Sequence, residues 1–244
     1  MRGLKSIVNA TVRLPLRAIP KGTVVPVLSG QLRGSRWVVG QGTNGCWLGT
    51  YEPLTRMWLS SLLGPGRVVF DVGANVGFFT LLASRLVGNS GSVVAFEPML
   101  SNVAALRRHM ELNQVRNVTI FEAAVSDHHG TARFSPSWNP SMGRLSEGGE
   151  LEVEIVSLDD LVGGGTVPAP DLLKVDVEGA EMQVLLGGLR CLREKRPAIV
   201  LSAHGWRLFE ECRALLEGLD YVLDVAKDGS EDGDYLVIAR GQRD

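Results

Sequence analysis

VVFDVGANVGFF, residues 68–79, is the stretch whose reading decides the fold. Val68-Val69-Phe70 is the β-branched and aromatic run of a buried parallel strand, and the run ends on Asp71. Gly73-Ala74-Asn75-Val76-Gly77 follows at once, and then the apolar helical run from Phe78 to Ala83. Strand, glycine turn and helix make the first unit of a nucleotide-binding α/β fold. Glycines admit close backbone approach, and the helix N-terminus offers free N–H groups.

The spacing separates two cofactor classes. A dinucleotide fingerprint, G-x-G-x-x-G, needs a second glycine where the pyrophosphate nears the backbone. This chain reads D-x-G-x-N-x-G, with Asn75 in that place and Asp71 facing the same loop. A carboxylate there suits a cationic ligand better than a pyrophosphate, because like charges in a dry site are costly. S-adenosylmethionine carries an ammonium and a sulfonium and no phosphate. Glu97, twenty positions past Gly77, closes a second strand, Ser92–Phe96. An acid there is placed to accept both ribose hydroxyls of an adenosine.

At 244 residues the chain fits one large domain with a small appendage. We divide it into residues 1–63, holding an arm, a β-meander and a lead-in helix, and residues 64–244, the cofactor-binding domain. It is 45% hydrophobic and 21% charged, an ordinary balance for a globular protein, and holds no apolar run of the ~20 residues a membrane span needs. Cys46, Cys191 and Cys212 form no C-x-x-C pair, which favours free thiols and a cytoplasmic location. A net charge of −2 gives no argument for nucleic acid. The charge is uneven, however. Residues 1–51 carry seven basic side chains and no acid, leaving 18 basic against 27 acidic residues beyond them.

Working outward, Leu4, Ile7 and Val8 sit at helical spacing in the basic arm, which Pro15 and Pro20 end. Thr23-Val24-Val25, Trp37-Val38-Val39 and Cys46-Trp47-Leu48 read as a small β-meander. A helix runs from Tyr51 to about Leu63, another over 101–113, and a third strand from Asn117 to near Ala124. Residues 131–134 and 151–156 alternate as an antiparallel pair around a long loop, 135–150, in which Trp138, Asn139, Ser141 and Met142 are candidate acceptor contacts. Leu172–Asp176 is the fourth strand, with its helix from Glu178 to about Leu192, and Ala198–Leu201 is the fifth. Tyr221–Ala226 and Tyr235–Ala239 leave no room for a crossover helix between them and so form a hairpin. The expected architecture is a Rossmann-like class I methyltransferase fold: a mostly parallel seven-stranded sheet with a C-terminal antiparallel hairpin, plus the small N-terminal β-rich segment.

A second motif, Lys174-Val175-Asp176-Val177-Glu178-Gly179-Ala180-Glu181, leaves the fourth strand at the edge where open α/β sheets bind ligands. Asp176 as an N-cap with Glu178 and Glu181 in the first helical turn is the plain structural reading. It does not explain a lysine inside an apolar strand. DVGANVG, AFEP, AAVSD and above all LLKVDVEGAE resemble the FkbM family of S-adenosylmethionine-dependent methyltransferases, and the resemblance spans residues 20 to 205. It implies O-methylation of a hydroxyl on a sugar or natural-product small molecule. It also implies that Asp71, Gly73, Asn75 and Gly77 surround the methionine part, that Glu97 binds the ribose, and that Ala124, Ser126 and Asp127 flank the adenine. Asp176 and Glu178 would lie at the transfer centre. Many members carry an acid at the end of the fifth strand, whereas this chain has Ser202-Ala203-His204.

Methyl transfer to a hydroxyl needs an aligned oxygen and a group to take its proton. Base candidates are His204, Asp176 and Glu178. His128 and His129 read as solvated, and His109 as an exposed helix residue. Mg²⁺ held by Asp176, Glu178 and Ser202 is a further option. Two other classes stay open: a nicotinamide-dependent oxidoreductase, against which the broken fingerprint and the hairpin argue, and a non-catalytic cofactor-binding module.

Overall fold

The computed structural model describes residues 19–135, 144–145, 151–227 and 234–241, which fall into two compact units divided between Tyr51 and Glu52. The basic arm and Trp138, Asn139, Ser141 and Met142 lie outside the described residues. In the smaller unit β1 (Val24–Pro26) and β2 (Arg36–Val38) pair antiparallel, with Val24 opposite Val38. The third strand of the expected meander is instead a short helix, α1 (Asn44–Leu48). Three consecutive apolar residues carry no period, and here Trp47 Nε1 donates to Asn44 Oδ1 at 3.2 Å, a contact across one helical turn. Gly49 ends α1 at φ +77, where a Cβ would meet the Ser29 carbonyl oxygen at 2.0 Å.

The larger unit opens with α2 (Pro53–Leu62), the lead-in helix, whose Pro53 sits at the first helical position. Its sheet is built from β3 (Val68–Val72), β4 (Ser92–Phe96), β5 (Val118–Phe121), β10 (Leu172–Val175), β11 (Ala198–Ala203), β12 (Tyr221–Lys227) and β13 (Tyr235–Gly241), in the order β12-β13-β11-β10-β3-β4-β5. β13 runs antiparallel to both neighbours, and the other pairings are parallel. The expected seven-stranded sheet with its terminal hairpin is therefore present. β3, β4 and β10 are apolar along nearly their whole length because both faces of the sheet are covered. Phe70, Phe96, Leu173, Val175 and Leu201 fill the buried centre.

Helices α3 (Phe78–Val87) and α4 (Leu100–Leu112) follow β3 and β4. α4 buries Val103, Leu106 and Met110 as read from its spacing, but it buries His109 as well. That corrects the exposed reading: His109 Nδ1 lies 2.8 Å from the Val76 carbonyl, and burial lowers its pKa to about 4. The third strand breaks at Glu122. β5 stays in the main sheet, while β6 (Ala123–Val125) joins a second sheet with β7 (Gly130–Ser135), β8 (Arg144–Leu145) and β9 (Leu151–Val156), ordered β6-β9-β7-β8. The expected antiparallel pair is β7–β9, with Thr131 opposite Glu154.

α5 (Leu158–Gly163) leads towards β10. The helix expected from Glu178 to Leu192 is two short ones, α6 (Glu181–Leu186) and α7 (Leu189–Glu194), broken at Gly187-Gly188. A Cβ on Gly187 would meet the Ser126 carbonyl oxygen at 2.0 Å, so the chain is pressed there against the turn after β6. α8 (Trp206–Glu217) follows β11 and precedes the hairpin. All three cysteines are free and buried. Among the described residues no helix is long and apolar enough to cross a membrane.

Candidate active site

The parallel strands deliver their carboxyl ends to one edge, and the charged side chains of both motifs gather there. Asp71, at the end of β3, is buried: Thr80 donates to its Oδ2 at 2.6 Å, and Lys174 Nζ lies 3.1 Å from its Oδ1. The lysine that interrupts β10 is thereby explained. It pairs across the sheet with Asp71 in the β10–β3 register, donates to the Gly73 carbonyl at 3.1 Å, and stands 3.6 Å from Asp176 Oδ2. Burial opposes its charge, but Asp71, Asp176 and Glu52 outweigh burial and keep it protonated. Asp71's charge is thus taken up by Lys174 rather than turned towards a ligand.

The glycine loop is shaped by the protein's own packing. Gly73, at φ +78, has no room for a Cβ, which would fall 1.9 Å from the Asp176 carbonyl oxygen. Gly77, at φ +91, abuts Leu106. Asn75 itself takes φ +49, a conformation asparagine tolerates. Its N–H donates to Glu97 Oε2 at 2.8 Å, while Glu97 Oε1 accepts from the Met99 N–H at 2.9 Å and from Asn102 Nδ2 at 3.2 Å. Burial raises the Glu97 pKa against those hydrogen bonds and the charge of Lys174. Thus the acid ending β4 is clamped to the loop, with one acceptor site, on Oε2, left for a hydroxyl donor.

Ala124 lies in β6, and Ser126, buried just past it, donates from its N–H to the Val156 carbonyl at 2.9 Å. Its hydroxyl donates to Asp127 Oδ1 at 3.1 Å, and a hydrogen bond from His128 holds Asp127 below the usual carboxylate range. His128 and His129 are exposed, as expected.

Beyond β10 the chain turns through Asp176, Val177, Glu178 and Gly179 before α6 starts. Asp176 is not a helix cap: the capping position is Ala180, five residues after Val175, with no side-chain cap. Glu178 takes φ +22 and Gly179 φ +102, positive values of the kind that collect at functional turns. His204, just past β11, is ringed by acids. Its Nδ1 donates to Glu181 Oε1 at 2.5 Å, and its Nε2 lies 3.7 Å from Asp176 Oδ1 and 3.6 Å from Glu178 Oε2. Burial pushes the imidazole pKa down, but the hydrogen bond and charge of Glu181, then Asp176 and Glu178, overcome it and raise the value to about 9. His204 is therefore an imidazolium at neutral pH and not the free base its ordinary value suggested.

Glu181 and Lys174 belong to the second motif but are not among the cofactor or catalytic residues expected from it. Lys174 was visible as an anomaly in an apolar strand. Glu181 was hidden by its ordinary place in a first helical turn. Asp176, Glu178 and His204, the three alternative base candidates, lie close together, with His204 Nε2 3.7 Å from Asp176 Oδ1 and 3.6 Å from Glu178 Oε2. Mg²⁺ finds no support: among the described residues no group of three or more His, Cys, Asp or Glu side chains is arranged to hold a metal ion. Ser202 lies within β11, opposite Leu236.

S-adenosylmethionine fits the donor set. Glu97 offers its remaining acceptor site to a ribose hydroxyl. The acids beyond β10 suit a sulfonium, and Lys174 is already consumed by Asp71, which leaves it unsuited to a pyrophosphate. Among the described residues nothing lies within 4 Å of a Cβ position at Gly179 or Gly205, so the backbone of this edge is open at both points.

The methyltransferase FkbM domain matches residues 71–223. The chain is similar to the hexuronic acid methyltransferase AglP of Haloferax volcanii, at 29% identity over 72% of each chain. It is also similar to the 31-O-demethyl-FK506 methyltransferase FkbM of Streptomyces tacrolimicus, at 33% identity over 51% of this chain and 60% of that one. The chain therefore spans less than two thirds of the second relative's length. Among solved structures, the methyltransferase FkbM of Methylobacillus flagellatus aligns with a TM-score of 0.55 at 16% identity, over 75% of this chain and 50% of that one. A SAM-dependent O-methyltransferase of Thermotoga maritima aligns at 0.54 and 12% identity, over 92% and 79%. Those likenesses speak for the fold, a class I methyltransferase sheet, and nothing among the matches favours a nicotinamide enzyme. From the domain match over most of its length, the chain belongs to the FkbM methyltransferase family.

Proposed function

We propose that this chain transfers a methyl group from S-adenosylmethionine to a hydroxyl of a sugar or natural-product small molecule. The carrying observation is the shared edge: the loop clamped by Glu97 and the cluster of Asp176, Glu178 and His204 both leave carboxyl ends of neighbouring parallel strands. Relatives named for methylating hexuronic acid and a demethylated natural product support the acceptor class.

When bound, S-adenosylmethionine would supply a methyl group on a sulfonium, which passes to the acceptor oxygen as the C–S bond breaks and the neutral thioether of S-adenosylhomocysteine leaves. Gly73, Asn75 and Gly77 would border its methionine part, Glu97 would accept from a ribose hydroxyl, and Ala124, Ser126 and Asp127 would edge the adenine. Glu178 takes the acceptor proton. Burial raises its pKa, with His204 opposing and Asp176, Asp234 and Glu181 adding to the rise, which makes it a stronger base than an ordinary carboxylate. Asp176 is engaged by Lys174 and His204, so it orients the acceptor hydroxyl instead. His204, held charged by Glu181, fixes both carboxylates.

The test is transfer of labelled methyl to a pool of hydroxylated glycans and metabolites. The wild-type chain should yield O-methyl products, and Glu178→Gln should lose at least ~10²-fold in turnover with unchanged cofactor affinity. Label on no hydroxyl acceptor, or full turnover by Glu178→Gln, would contradict the assignment.

A further inference from the structure

Trp206 opens α8 and remains 59% exposed, although a ring of that size contributes most when buried. It follows His204 by two residues, across Gly205, which has φ +94 and, among the described residues, nothing within 4 Å of a Cβ position. The indole centroid lies 5.6 Å from Phe209 and 5.9 Å from Tyr235, both buried, and those two rings stack 4.4 Å apart with 13° between their planes. Trp206 is thus the outer leaf of a three-ring cluster, fixed from behind and uncovered in front. Tyr235 pairs with Ala203 in the β11–β13 ladder, so the cluster stands at the carboxyl edge beside His204. The charge of Asp234, adjoining Tyr235, is felt by Glu178.

We propose that Trp206 is a stacking platform for a pyranose ring of the acceptor, and that this acceptor is a neutral or amino sugar rather than a uronic acid. The proposal rests on the methyl-transfer reading and names its substrate class. A pyranose has one face of axial C–H groups, which lies on an aromatic ring, and an edge of hydroxyls, which donate to carboxylates. Both partners belong to the carboxyl edge around His204: the indole two residues after it, and the carboxylates of Asp176 and Glu178 within 3.7 Å of its Nε2, with the charge of Asp234 acting on Glu178. A flat apolar molecule would use the ring and leave those carboxylates desolvated and unmatched, which is costly. A uronic acid would bring its own negative charge among them, where the cation of His204 is already engaged by Glu181 at 2.5 Å.

The full chain, saturated with S-adenosylhomocysteine, is applied to immobilised neutral, amino and uronic-acid glycans beside Trp206→Ala and Trp206→Phe. Neutral or amino glycans should be retained by the wild type. Retention should fall at least about tenfold in Trp206→Ala, as for loss of an aromatic anchor, and persist in Trp206→Phe. S-adenosylhomocysteine affinity and melting temperature should match in all three. Retention of uronic-acid glycans alone, equal retention by Trp206→Ala, or no glycan retained by a chain that binds S-adenosylhomocysteine would each overturn the platform. Failure of the wild type to bind S-adenosylhomocysteine would overturn the methyl-transfer reading and the platform with it.

Discussion

Glu181 Oε1 accepts a hydrogen bond from Nδ1 of His204 at 2.5 Å across two elements of the larger unit, and Glu181 is fully buried. Its Oε1 also accepts from the Gly179 N–H at 3.2 Å, while its Oε2 has no hydrogen-bond partner among the described residues. A buried carboxylate with one oxygen unmatched is costly unless a cation lies against it. His204 is that cation. The pair therefore fixes the imidazole's orientation and its charge together, and the imidazole in turn holds Asp176 and Glu178.

Glu181→Gln keeps the shape and removes the charge. The His204 pKa should fall from about 9 towards its ordinary 6.5, because the first opposing influence is burial. Following the imidazole resonance by NMR titration checks this, and an unmoved midpoint would show that Asp176 and Glu178 alone carry the shift.

The same pair gives stability a pH dependence. His204 has a folded pKa raised from 6.5 to about 9. Its contribution is therefore complete below about pH 6.5 and is lost as pH rises through about 9. The melting-temperature gap between the wild type and His204→Asn should be widest near pH 6 and close towards pH 10. A gap that widened with pH would contradict the pairing.

Lys174→Met should be among the most damaging single changes outside the apolar core. It leaves Asp71 buried without its cation and strips Asp176 of one partner, which costs about 3–5 kcal/mol when a buried pair loses one member. Chemical denaturation measures it. The double change Lys174→Met with Asp71→Asn should recover part of the loss.

Glu97→Gln should weaken S-adenosylhomocysteine nearly as much as Glu97→Ala, by roughly 1–3 kcal/mol. Both carboxylate oxygens accept from backbone N–H groups, of Asn75 and Met99, so the glutamine NH₂ would face a donor whichever way it turned. Calorimetry on the two variants checks it, and a glutamine that bound like the wild type would remove the clamp from the account.

Two glycines of positive φ separate packing from strain. Gly73→Ala meets a carbonyl oxygen at 1.9 Å, whereas Gly179→Ala meets nothing within 4 Å among the described residues. Both pay the left-handed cost of about 1–2 kcal/mol, but only the first also shifts β10 away from β3. Gly73→Ala should unfold at clearly lower denaturant, and equal midpoints would deny the close approach.

Much of this fold is written locally. β3 and β4 are apolar runs that stop at an acid, and the final hairpin follows from a connection too short for a helix. Cys46-Trp47-Leu48 misleads because three apolar residues fit either a strand or a helical turn. The break at Gly187-Gly188 depends on Ser126, far away in sequence, and so leaves no periodic trace. The site divides the same way. Asp176, Glu178 and His204 lie at strand ends and can be named in advance. Lys174 meets Asp71 103 residues earlier through sheet register, and Glu181 meets His204 only because β11 follows β10 in the sheet. His109 reads as polar surface until the loop carbonyl of Val76 is found against it.

The central claim is the cofactor, and direct titration of the full chain by calorimetry tests it most simply. S-adenosylhomocysteine should bind with micromolar affinity, about −8 kcal/mol, and NADH should give no heat of binding. Saturable binding of NADH with none of S-adenosylhomocysteine would contradict the account at its root.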